Sequence, residues 1–158
     1  MTTTSEVCHT FETALDMAIT MEERCYRAYL STLRLVKDKT ALSLLKDAAI
    51  EVSEHKQKLE IALIEGSAEH LQQMQQEVPI MHLDTLLKQQ QIDADATARE
   101  ALAYIIHIKK NSVDFYNQLV TSCEGAPMAP IFQQLSATVR KQLQQAEDMY
   151  EKHFLTEN

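Results

Sequence analysis

Turn-forming residues are scarce in this chain: two glycines and three prolines in 158 residues. Average usage is roughly 7% glycine and 5% proline. A β-barrel or sandwich needs a turn every ten residues or so, and the shortage excludes one. Three cysteines, Cys8, Cys25 and Cys123, are too few and too scattered for a disulfide framework or a CxxC metal knuckle. No run of about 18 apolar residues exists to span a bilayer. Positive charge is also short, with 15 basic residues against 23 acidic ones and a net charge of −8. That balance repels phosphate backbones and anionic lipid, so no nucleic-acid and no membrane-surface partner is expected. The start, Met1 to Glu6, has neither the basic segment nor the apolar stretch of a secretory signal. A reducing, cytoplasmic setting is the expectation.

What the chain does have is 45% apolar residues, enough for a packed core, and a length that suits one domain, residues 1–158. All-α is the resulting class. Four segments carry helical periodicity. The first runs from about Thr10 to Val36, with Phe11, Ala14, Leu15, Ala18, Cys25 and Tyr29 at three- and four-residue steps. The second is expected to start at an N-cap on Thr40 and to stop at Gly66. The third opens with a Thr97-x-x-Glu100 capping box and ends near Ser122. The fourth starts at Pro130, a good first helical residue, and reaches about Phe154. Short connections make the first pair and the last pair antiparallel hairpins. Between them lies a crossover, about residues 67–96, in which Asp84-Thr85-Leu86-Leu87 suggests one short helix. Cys8-His9, ahead of the first helix, reads as a frayed end.

A shift of 87 positions brings the two hairpins into register. Ala14-Leu15 falls on Ala101-Leu102, Met21 on Ile108, Tyr29 on Tyr116, and Leu45 on Phe132. The shared tyrosine and the matching loop lengths go beyond a common helical period, and point to an internal repeat.

The stretch Ala18 to Tyr29, with Glu22 seven residues before the tyrosine, resembles the first helix of rubrerythrin-like members of the ferritin-like superfamily. Ala48 to His55 resembles their second helix, which carries a Glu-x-x-His pair. Tyr104 to Leu119, with Asp114-Phe115-Tyr116, is similar to the matching helix of the second half, and Pro130 to Tyr150 to the last. The resemblance spans about residues 11–154, the expected bundle core being about 10–154, and lies mainly in helix layout and spacing. It implies a ferritin-like antiparallel four-helix bundle, two helical hairpins joined by the long crossover, and a homodimer. It also implies a core site where two iron or manganese ions are held by one glutamate from each of two helices and a Glu-x-x-His pair from each of the others.

Carried over residue by residue, that pattern is mostly gone. Glu22 holds the first glutamate position and His55 the first histidine. Val52 stands for the glutamate three before His55, Lys109 for the third-helix glutamate, and Val139 and Gln142 for the last Glu-x-x-His pair. The spacing survives, since Glu22 to Val52 and Lys109 to Val139 are both 30 residues. An ammonium among the ligands repels a divalent ion. The resemblance therefore implies a degenerate metal site with no cofactor, in which Lys109 replaces metal charge by reaching Glu22, and His55 and Gln142 complete a polar cluster. The competing reading keeps one iron or manganese ion on Glu22, Glu51 and His55, two carboxylates and one imidazole.

Buried Cys25 is expected to border the cluster as a small hydrophobe. Tyr29 and Tyr116 are expected to pack with a hydrogen-bonded hydroxyl, and Glu51 and Glu54 to be solvated carboxylates. Without a CxxC, no rubredoxin-type electron donor is expected. The functional expectation is a non-catalytic binding or interaction module. The alternatives are a divergent non-haem iron or manganese oxidoreductase or iron-handling protein, and a subunit whose site is completed by another chain.

Overall fold

The hydroxyl of Thr10 accepts a hydrogen bond from Thr13 N at 3.2 Å, satisfying one of the free N–H groups of a helix start. In the computed structural model, which describes residues 9–75, 77–78, 92–122 and 129–155, the first helix follows directly. This is α1, Phe11–Leu35. A tight turn leads to α2, Lys39–Glu69. Its N-cap is Asp38, whose Oδ2 accepts from Ala41 N at 2.8 Å, and Thr40 lies inside the first turn instead. The carboxylate two residues earlier takes the role expected of the threonine.

Gly66 does not end α2. The helix runs on to Glu69 because Gly66 faces inward, where a methyl group in place of its hydrogen would lie 2.3 Å from Met74 Sδ. Close approach, rather than a left-handed cap, is what this glycine supplies. Met74, fully buried, belongs to α3, Leu71–Met74, a single turn that folds back over the end of α2. Beyond it β2, Glu77–Val78, pairs antiparallel with β1, His9–Thr10, in the register His9 to Val78 and Thr10 to Glu77. The backbone at His9 is thus paired rather than frayed. The far end of the crossover is tied to the same hairpin, through Lys37 N to the Ala94 carbonyl at 3.2 Å. The short helix expected around Asp84 lies outside the described residues.

α4, Ala98–Ser122, opens on the expected capping box, with Glu100 N donating to Thr97 Oγ1 at 3.2 Å. α5, Pro130–Tyr150, has its proline at the first turn as expected and passes into a π-helical turn, Glu151–Leu155. α1 packs on α2 and α4 on α5, and α2 lies beside α4, so two hairpins joined by a crossover make one four-helix bundle of ferritin-like shape. Among the described residues no helix is long and apolar enough to cross a membrane.

The core follows the internal repeat. Ala14 and Ala101, Leu15 and Leu102, Tyr29 and Tyr116, and Leu45 and Phe132 are all buried at matching positions. Phe11 meets Phe132 with ring centres 5.2 Å apart, closing one end of the bundle between α1 and α5. Each fully buried large apolar side chain contributes about 1.5–3 kcal/mol. That burial, more than any surface pairing, holds the four helices together.

Candidate functional site

The polar residues of the core sit at the middle of this apolar stack. α1 carries Glu22, Cys25 and Tyr29 at three-, four- and seven-residue spacing, which places them on one helical face. α4 carries Lys109, Ser112 and Tyr116 at the same spacing, 87 residues on. α2 adds Glu51 and His55, and α5 adds Gln142. Equivalent positions of the two halves meet, for Cys25 Sγ lies 3.9 Å from Ser112 Oγ. Ser112 donates to the Ile108 carbonyl at 3.2 Å, which leaves its oxygen free to accept from the thiol. Both groups lie 3.7 Å from Met21 Sδ.

Glu22 is fully buried and His55 nearly so, and His55 Nδ1 stands 2.8 Å from Glu22 Oε2. That separation is an ion-pair distance, yet its direction is wrong for a hydrogen bond. Both Glu22 oxygens, both His55 nitrogens, the Tyr29 and Tyr116 hydroxyls and Gln142 Oε1 have no hydrogen-bond partner among the described residues. The partner expected for the Tyr29 hydroxyl is thus not found there, whereas the Tyr116 hydroxyl interacts with Glu22 without the geometry of a full hydrogen bond. Five side chains with unsatisfied polar atoms in one bundle interior are unusual, because each such atom costs about 1–3 kcal/mol.

Lys109 is also in the core, with 8% of its side chain exposed, but its Nζ turns to Glu51 Oε1 at 2.9 Å and not to Glu22. Glu51 therefore differs from a freely solvated carboxylate. It sits at 30% side-chain exposure where α2 passes α4, and draws the ammonium toward the rim. Glu54 is exposed, as expected. The expected cluster of Glu22, His55, Lys109 and Gln142 is thus divided. Glu22 lies beside His55 in the interior, Lys109 pairs with Glu51 at its edge, and Gln142 Oε1 makes no hydrogen bond among the described residues. Outside the core, Glu23 bridges Arg27 and Lys56, and these two cations hold its carboxyl below the usual range.

Burial governs Cys25 and the two core tyrosines. It pushes the Cys25 thiol up to about 12, with the charge of Glu22 adding to the shift. Cys25 is a protonated packing group and not a nucleophile. Burial likewise raises Tyr29 and Tyr116 well above the ordinary phenol value, and Glu22 raises both further.

A dinuclear metal centre does not fit these residues. Val52 and Val139 are buried hydrocarbon at two of the positions where the resemblance implies carboxylates, and Lys109 stands at a third. Among the described residues no group of three or more histidine, cysteine, aspartate or glutamate side chains converges to hold a metal ion. Glu22 and His55 offer a carboxylate and an imidazole, and Glu51 is engaged by Lys109. Sequence reasoning missed Ser112 and the Glu51 pairing. The signal for Ser112 was present, since it is the repeat partner of Cys25. Comparison of the chain with family models, curated proteins and solved structures returns no match.

Proposed function

We propose that this chain is a rubrerythrin-like bundle in which internal polar pairs have taken the place of a dinuclear metal centre, and that it works as a non-catalytic binding or interaction module. The observation that carries the reading is Lys109. A buried ammonium stands at the position that repeats Glu22 and is held by Glu51. A fixed cation there neutralises carboxylate charge as a metal would, without offering open coordination positions for chemistry. The reading includes a homodimer, as the resemblance implies, working in the cytoplasm, as the cysteine usage suggests. Its test is the melting temperature with and without a strong chelator. The expected result is no change, because a group that binds only the folded state would stabilise it by mass action. A fall of several degrees on chelation would overturn the reading.

A second reading is favoured by the bare lone pairs of Glu22. One iron or manganese ion would sit on Glu22 and His55, with Glu51 as the third ligand once it releases Lys109. Fe(II) or Mn(II) added to the metal-free chain would then raise the melting temperature, and Glu22→Gln would abolish the rise.

A further inference from the structure

Three side-chain atoms from α1 and α4 form a nearly regular triangle in the core. Cys25 Sγ lies 3.7 Å from Met21 Sδ and 3.9 Å from Ser112 Oγ, and Ser112 Oγ lies 3.7 Å from Met21 Sδ. The point equidistant from all three is about 2.2 Å from each, close to the metal–sulfur bond of about 2.3 Å in zinc–thiolate sites. The triangle thus has the size of a three-coordinate metal shell. Met21 and Cys25 are one turn apart on α1, which sets both sulfurs on one face, and Ser112 meets them from the repeated position of α4. All three residues are buried, with exposures of 1%, 3% and 6%. The Cys25 thiol donates to the Met21 sulfur, and Ser112 has the Ile108 carbonyl at 3.2 Å for its own proton.

We infer that this triangle is a binding site for one soft monovalent cation, copper(I), held by Cys25 and Met21 with the Ser112 hydroxyl as a weaker third contact. Thiolate and thioether sulfurs select copper(I), whereas manganese favours carboxylate oxygen. Zinc also takes thiolates, but it is divalent and is held by four ligands in structural sites. One thiolate would leave half of that charge uncompensated in the core, whereas copper(I) and one thiolate make a neutral pair that hydrocarbon tolerates. On binding, the Cys25 S–H bond breaks, a copper–sulfur bond forms from the same sulfur, and the proton leaves to water. No electron is transferred. The ion takes the place between the two sulfurs that the thiol proton holds in the metal-free chain, so little has to move. A second observation points the same way. Glu22, one turn before Cys25, is fully buried, and both its oxygens lack a hydrogen-bond partner among the described residues. A carboxylate there favours a cation beside it, while the ammonium of Lys109 is drawn off by Glu51 at 2.9 Å.

The site takes none of Glu22, His55 and Glu51 as a ligand, so it goes beyond the functional reading above and does not depend on it. Iron and manganese can be absent while copper(I) binds, and the reverse. The test is anaerobic titration of the full chain with copper(I), in competition with the coloured chelator bicinchoninate, together with the ultraviolet absorption of a copper–thiolate bond. Cys8 and Cys123 are first changed to serine, which leaves Cys25 as the sole thiol. One copper(I) ion per chain and the ultraviolet band are expected, and Cys25→Ala should abolish both. Met21→Leu keeps the side-chain volume and the fold. It should weaken binding at least about tenfold, the loss that follows removal of even an outer-shell partner of a metal. Circular dichroism checks that each variant is folded, and Met21→Leu carries the test if Cys25→Ala is not. No copper(I) uptake by the folded chain would overturn the proposal. So would uptake that survives Cys25→Ala, or a Met21→Leu variant that binds as tightly as its parent, since the thiol alone would then suffice.

Discussion

The two hairpins share a layout and differ in what they put at its centre. The first hairpin places a carboxyl and an imidazole, Glu22 and His55, 2.8 Å apart in the core. The second places an ammonium and an amide, Lys109 and Gln142, at the repeated positions. Around them the halves remain alike, with Tyr29 matched by Tyr116, Cys25 by Ser112, and Val52 by Val139, all buried. The scaffold therefore aims four helices at one point with the same spacing in both halves, while the groups aimed there do not make a common ligand set. One half holds a buried carboxyl beside an imidazole, and the other sends its charge outward to Glu51. A bundle interior tolerates such exchanges when the replacing groups find partners or replace polar atoms with apolar ones.

The comparison is broken most severely at His55. His55→Ala removes the imidazole 2.8 Å from Glu22 and leaves a cavity in the core, and should cost about 3–5 kcal/mol in urea unfolding. Gln142→Met, at the matching position of the second hairpin, removes an amide oxygen with no partner among the described residues and should change stability by less than about 1 kcal/mol. Equal costs at the two positions would mean that the hairpins are not functionally different. Lys109→Met should fall between them, at about 1 kcal/mol, because Glu51 can turn its half-exposed carboxylate to water.

Alkali offers a gentler probe of the same interior. The folded chain holds the Cys25 proton up to about 12, whereas the unfolded chain releases it near 9. The folded state thus binds more protons across that window, so stability should be level below pH 9 and fall as pH rises toward 12. Cys25→Ala should make that fall shallower, and a pH titration of the unfolding midpoint would show an unaltered slope if the thiol were exposed. The smallest effects are expected at the tyrosines. Tyr29→Phe removes a buried hydroxyl without a partner among the described residues and should be neutral or stabilising by up to about 1 kcal/mol, whereas Tyr116→Phe also removes the group beside Glu22 and should cost up to about 1 kcal/mol. A loss larger than that in either variant would show that its hydroxyl is hydrogen-bonded in solution.

Much of the fold was legible because it depends on local signals. The Thr97–Glu100 box, Pro130 at a helix start and the apolar periodicity of α1 and α4 are written into a few neighbouring residues. Gly66 was misread because its role is tertiary. Only the return of Met74 over α2 shows why a side chain is unwelcome there. Asp38 displaced Thr40 as the cap because both are good cap residues two positions apart, and spacing alone does not choose between them. In the site, residue types and facing positions were readable, but the partner of Lys109 was not. A lysine stem reaches several carboxylates, and the choice of Glu51 over Glu22 depends on how α2 passes α4. Ser112 was overlooked because a serine on a buried helix face carries no signal of its own until it is matched to Cys25 across the repeat.

The claim that polar pairs have replaced a metal centre is tested most directly by counting metal. The chain would be expressed in medium supplemented with iron and manganese, purified by gel filtration, and its metal content per chain measured by plasma mass spectrometry. Near-zero stoichiometry is the predicted result. One iron or manganese ion per chain would contradict the claim and direct attention to Glu22, His55 and Glu51, and two would mean that the bundle binds a dinuclear centre through other residues.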